Sequence, residues 1–174
     1  MSDTLRATIL GCGSSGGVPR LGGEDGYGNW GACDPANPKN RRRRCSLLVE
    51  RDGPDGTTTV LIDTSPDMRE QLLDAGISTL DAVVWTHAHA DHLHGIDDLR
   101  VVVFNRRERL PAWADAETGS RIHEAFSYVF ETPKGSGYPP ILDFQEITGD
   151  VTIDGAGGSV TLAPFDVIHG RITS

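Results

Sequence analysis

Four stretches carry the clearest patterning of apolar and polar positions. LRATILG (5–11) is β-branched and apolar until glycine stops it, which predicts an opening strand. CSLLVE (45–50) and TTTVLID (57–63) flank the turn sequence RDGPDG (51–56) and predict a hairpin. LDAVVWT (80–86) is almost continuously apolar, as a buried strand is. Between the last two, Met68, Leu72 and Leu73 recur at helical spacing. Ser65 as cap, Pro66 at the first helical position, Asp67 and Glu70 near the positive end, and Gly76 at the close predict a helix there. ETGSRIHEAFSYVF (117–130) predicts a second helix, followed by a Gly/Pro loop at 132–140. Short strands follow around DFQEI (143–147), VTI (151–153) and SVTLAPF (159–165). Strands interleaved with helices place the chain in the α/β class.

Residues 11–45 break the pattern. Nine glycines fall from Gly11 to Gly31, and no periodic apolar positions return until Cys45. GCGSSG (11–16) matches the GxGxxG of dinucleotide-binding folds, but that fingerprint works by opening a helix whose amides face a pyrophosphate. Gly17, Val18 and Pro19 follow instead, and more glycine after them. The glycines suit a backbone that comes close to something else in a crowded site.

With 174 residues, 37% apolar and 24% charged, the chain has the size and composition of one globular domain spanning 1–174. The net charge of −9 is uneven. Residues 1–60 hold 8 Lys+Arg against 7 Asp+Glu, and 61–174 hold 8 against 18. Such acidity disfavours nucleic acid as a partner, because that affinity comes from neutralising phosphates. The run Arg41 to Arg44 admits two readings: a solvated basic turn, or a grip for one phosphate-bearing small molecule. Cys12, Cys33 and Cys45 form no CxxC pair and predict free thiols. No run is long and apolar enough to span a membrane, and MSDTLRATILG lacks the features of a secretory signal, so a cytoplasmic location is expected.

THAHADHLHG (86–95) gathers four of the six histidines. His87 and His89 lie two apart, on one side of an extended segment, and can converge on one ion. Asp91 and His92 come as the chain turns and can aim at a second point nearby. Imidazole with carboxylate suits Zn²⁺, with Mn²⁺ or Fe as alternatives. A polar loop rich in histidine predicts neither the regular HxHxDH spacing nor a buried strand delivering it, and both are present. His94 falls outside the pattern, and His123 sits in the second helix, where a structural or surface role is expected.

HxHxDH after a buried strand resembles the metallo-β-lactamase superfamily. ILGCGSSGGVPR is similar to its opening strand and glycine turn, VLIDTSPDMREQLL to a strand and helix in which Asp63 matches a carboxylate buttressing the histidine loop, and DVIHGRITS to the segment supplying a further ligand, His169. The glycine turn with NPKNRRRRCSLLVE and THAHADHLHGIDDLR is similar to the branch containing phosphoribosyl 1,2-cyclic phosphate phosphodiesterase.

The resemblance implies an αββα sandwich and two zinc ions, one on His87, His89 and His169, the other on Asp91 and His92. It implies metal-assisted hydrolysis of cyclic phosphates or nucleotide-like phosphodiesters. Asp91 then orients the attacking solvent, and Asp63 holds the loop. Gly13, Ser14, Ser15, Gly16, Arg42 and Arg44 become candidates for binding a small phosphate-containing substrate, and a homodimer is one assembly open to the chain.

Two departures stand out. Only Cys33 lies in the loop where the branch carries a zinc-binding cysteine cluster. No Asp follows His169, although the superfamily supplies a bridging Asp and a last His after the matching segment, so the expectation is an N-terminal portion of the fold. Two other functions fit the same residues: hydrolysis of a thioester or lactone, and a non-catalytic metal-binding fragment or subunit.

Overall fold

The expected hairpin is the antiparallel part of a larger sheet. In the computed structural model, which describes residues 3–170 and 172–174, β1 (Thr4–Gly11), β2 (Ser46–Gly53) and β3 (Gly56–Ile62) pair antiparallel in succession. β4 (Ala82–Val84), β5 (Leu110–Ala114) and β6 (Leu142–Glu146) then add in parallel, giving six strands in sequence order. Parallel neighbours need crossover connections. α1 (Met68–Ala75) makes the first; α2 (Ala90–Leu93) and α3 (Leu99–Arg106) make the second; α4 (Ala116–Phe126) makes the third.

Period-two alternation sorts the strand residues into two cores. Leu48, Leu61, Val83 and Ala112 face Met68 and Leu72 of α1, Leu99 and Val102 of α3, and Ile122 of α4. Val49, Val60, Ala82 and Val84 lie on the other face, under a hairpin of β7 (Val151–Ile153) and β8 (Val160–Leu162). Full burial of one such side chain contributes roughly 1.5–3 kcal/mol, so both layers anchor the central strands. A mixed sheet flanked by helices is the expected α/β class.

Several local expectations shift. The hairpin turn is tighter than 51–56, because Gly53 and Gly56 are already paired and only Pro54 and Asp55 connect them. α1 begins at Met68, beyond Pro66, with Asp67 at the cap position making no side-chain cap bond. The reason is Arg44: its main-chain N–H and its guanidinium both donate to the Asp67 carboxylate. Ser65 turns its hydroxyl to the Asp67 N–H and to Gln71 Oε1. Leu73, expected on the apolar face, is exposed, and Gln71 is buried in its stead, donating to the Arg44 carbonyl. The second helix stops at Phe126 and continues as a 3-10 turn, Ser127–Val129. Gly76 closes α1 in the left-handed region as expected.

Candidate metal centre

The histidine loop starts where β4 ends, at the carboxyl ends of parallel strands, where open α/β sheets place their sites. Its anchor is the turn after β3. Asp63 sits there at φ 62°, a left-handed conformation that costs a non-glycine residue about 1–3 kcal/mol. The surroundings hold it there. The Asp63 N–H donates to the Val84 carbonyl at 2.9 Å. Its carboxylate accepts from the Thr86 N–H at 2.8 Å and from the Thr86 hydroxyl. Its Oδ2 also faces His92 Nδ1 at 2.7 Å. Next to it, Thr64 donates to the Leu93 carbonyl and accepts from the Trp85 indole at 2.9 Å. Gly95 closes the loop against the same turn: its N–H donates to the Thr64 carbonyl, and a Cβ there would lie 2.1 Å from Ser65 O.

This scaffold brings four imidazoles together. His87 Nε2 and His89 Nδ1 face each other at 3.1 Å. One ring nitrogen from each of His87, His89 and His169 falls within 4.8 Å of the others. His169 arrives from β9 (Ile168–His169), paired with β10 (Ile172–Thr173) across Gly170, which turns at φ 65°. The His92 ring lies 4.2 Å from that of His87, and its Nε2 is 3.5 Å from Asp91 Oδ2. Asp91 and His92 ride on the single turn of α2, not on an irregular bend.

His87 is in the form a cation needs. The Thr86 hydroxyl gives its proton to Asp63 and so accepts from His87 Nδ1–H at 2.9 Å, which leaves the His87 Nε2 lone pair toward His89. Burial, with His92 next in weight, pushes His87 down to about 4, so its imidazole is neutral near pH 7. His92 is shifted the other way: burial opposes its charge, but the hydrogen bond and charge of Asp63, with Asp91 adding, outweigh that. Three imidazoles with converging ring nitrogens and an adjacent Asp/His pair fit a divalent ion with nitrogen and oxygen preference.

A cavity of about 560 Å³ opens beside the cluster, lined by His87, His92, His169, Asp63, Cys12 and Cys45 among others. A second hollow of about 290 Å³ on the far side of His87 and His89 includes Glu117 and Arg121 of α4. Of the residues expected at substrate, Arg44 is paired with Asp67, and Arg42 Nη1 donates to Cys12 Sγ at 3.1 Å at the cavity rim. Gly13, Ser14, Ser15 and Gly16 form the adjoining turn, in which the Gly17 N–H donates to the Ser14 carbonyl. What Gly11 and Gly13 approach is segment 42–44: a Cβ on Gly13 would lie 2.8 Å from Arg43 O. His94 is exposed, its ring centroid 5.7 Å from that of Phe126; His123 bonds the Gly119 carbonyl and stacks on Phe130 with ring centroids 4.0 Å apart, as a structural residue does. Thr64, Thr86 and Gly95 carry much of the scaffold, and nothing in their residue type marks them. Among the described residues, no helix is long and apolar enough to cross a membrane.

Comparison with known proteins agrees with this geometry. The family model described as a beta-lactamase superfamily domain matches residues 58–174, which include the whole histidine cluster. An octanoyltransferase of Porphyromonas gingivalis (strain ATCC BAA-308 / W83) is 36% identical over 170 residues, 97% of this chain but 32% of that protein. Coenzyme PQQ synthesis protein B of Methylobacterium sp. (strain 4-46) is 33% identical over 105 residues, 55% of this chain and 34% of that one. Among solved structures, a diphosphatase from the PhnP family superposes with a TM-score of 0.78 at 33% identity, covering 98% of this chain and 60% of its own. Zinc-bound PqqB from Methylobacterium extorquens shares the fold, with a TM-score of 0.56 at 20% identity. The chain thus spans about a third of the curated relatives it matches. With its HxHxDH loop at the end of β4 and the family model covering 58–174, the chain belongs to the metallo-β-lactamase superfamily.

Proposed function

We propose that this chain is the metal-binding part of a hydrolase that cleaves phosphodiester or diphosphate bonds in a small substrate. Zinc is the first choice of metal, with manganese or iron as alternatives. His87, His89 and His169 would hold one ion, and Asp91 with His92 would hold a second. The observation that carries the reading is the convergence of the first three side chains within 4.8 Å, beside the Asp91–His92 pair. Likeness to a PhnP-family diphosphatase at 33% identity favours phosphorus over carbon as the atom attacked.

When bound, divalent ions lower the pKa of coordinated water and neutralise charge on phosphoryl oxygens. The chain's own residues do the rest. Asp91 orients the attacking water. Asp63 fixes the His92 ring through Nδ1, leaving Nε2 toward the site. Arg42, at the rim beside Cys12, and the amides of Ser14, Ser15 and Gly16 meet the substrate's outer phosphate, while the Gly13 N–H is spent on the Arg43 carbonyl at 2.7 Å. Arg44, held by Asp67, keeps the basic segment in register.

The test is a substrate panel on metal-loaded protein: bis-p-nitrophenyl phosphate, cyclic nucleotides, a dinucleotide joined by diphosphate, and a thioester. Turnover of phosphorus substrates is expected. Turnover of the thioester alone overturns the reading.

A further inference from the structure

Two thiols line the cavity beside the histidine cluster. Gly11 at the end of β1 pairs with Ser46 at the start of β2, and just beyond them Gly13 bridges to Arg44. Cys12 and Cys45 lie between these two points, just past the end of β1 and just before the start of β2. The Cys45 thiol reaches the carbonyl of Gly13, the residue next to Cys12, at 3.7 Å. A disulfide needs two Cα atoms about 4.4–6.8 Å apart, and the flanking contacts hold the two segments side by side. The backbones are pressed together here: a Cβ on Gly11 would lie 2.1 Å from Arg44 O. Both cysteines line the cavity that holds His87, His92 and His169, so their side chains share a face.

Their surroundings differ. Cys12 is exposed, and its Sγ accepts from Arg42 Nη1 at 3.1 Å. Cys45 is half-buried, its thiol 3.7 Å from the Gly13 carbonyl. Burial, with the charges of Asp63 and Asp91, pushes the Cys45 thiol up. Cys12 is therefore the sulfur that meets a solvent-borne oxidant first.

From this geometry we propose that Cys12 and Cys45 are a reversible redox pair, closing a disulfide across the mouth of the cavity when a peroxide is present. The Cys12 sulfur attacks one peroxide oxygen, breaking the O–O bond and giving sulfenic acid and one water. The Cys45 sulfur then attacks the Cys12 sulfur, forming S–S and releasing the hydroxyl with the thiol proton as a second water. Two electrons pass from the thiols to the peroxide, and a dithiol returns them. The bridge ties the start of β2 to the glycine turn and fixes the rim. Its effect on turnover rests on the proposed activity; the cross-link does not.

The test treats metal-loaded protein with a slight excess of hydrogen peroxide, then maps unreduced peptides by mass spectrometry. The expected product joins Cys12 to Cys45 with loss of two hydrogens. It disappears with dithiothreitol, is absent in C12S and C45S, and persists in C33S. The C45S protein is expected to accumulate dimedone-reactive sulfenic acid at Cys12. Cross-links involving Cys33, links between two chains, or over-oxidation of Cys12 without a bridge overturn the pair. A clean Cys12–Cys45 bridge in a protein that hydrolyses no phosphorus substrate leaves the pair standing and removes only the activity.

Discussion

Asp63 Oδ2 lies 2.7 Å from His92 Nδ1, and the residue that makes this contact is held at φ 62°. One side chain thus links the turn after β3 to the histidine loop after β4, in a conformation that is sustained by hydrogen bonds with Ser46, Val84, Thr86 and His92. Asp63 acts through His92 and Thr86, so it is a positioning residue.

Asp63→Asn isolates the charge, because Asn tolerates the left-handed backbone. The variant is expected to lose about 1–3 kcal/mol of stability in urea unfolding, from imperfectly paired donors. Metal affinity is expected to fall about 10–100-fold, read by competition with a chromophoric chelator. Unchanged affinity would show that His92 needs no buttress.

Gly95→Ala probes the loop's other anchor. The added Cβ would sit 2.1 Å from the Ser65 carbonyl oxygen, a backbone atom that cannot swing aside. A loss of about 1–3 kcal/mol is expected, with weakened metal binding. Gly137→Ala, which meets nothing within 4 Å, is the control and should unfold like the parent.

Much of this centre was legible in the sequence, and the illegible parts share a cause. HxHxDH after an apolar run states its geometry locally, since His87 and His89 need only an extended backbone to converge. His169 has no local signal; it joins the cluster because the chain returns through β9, a tertiary fact that only family resemblance carried. The arginine run reads as charge, but the carboxylate that orders Arg44 lies beyond the hairpin, in Asp67. α3, LRVVVFNR, packs three consecutive valines into a helix because Leu99, Val102 and Val103 are buried, although β-branched residues favour strands. β5, LPAWA, carries a proline and is only five residues long, so its pattern is hidden.

Acid stability should expose the Arg44–Asp67 pair. The hydrogen bonds from Arg44 hold the Asp67 carboxyl below the usual carboxylate range, against the opposing effect of burial. The unfolded carboxyl titrates near about 3.9. The unfolded state therefore binds the proton first, and this contribution is fully present above that value and lost as pH falls through the folded one. Urea midpoints measured from about pH 6 down to about pH 2.5 should fall more steeply for the parent than for Asp67→Asn. Parallel curves would remove the pair from the acid response.

His123 offers a contrast within one residue type. Stacked on Phe130 and bonded to Gly119, it belongs to the packing under α4. His123→Ala should lower the melting temperature while metal content stays at the parent's level. Loss of metal in this variant would mean that the centre extends into α4.

The most direct measurement is metal content after loading with Zn²⁺ and gel filtration, compared between the parent and the His87→Ala, His89→Ala and His169→Ala variants. The parent should retain bound zinc with an imidazole signature in X-ray absorption, and each variant should retain less. A folded parent that retains none, or variants that all retain the parent's amount, would contradict the metal centre and the function built on it.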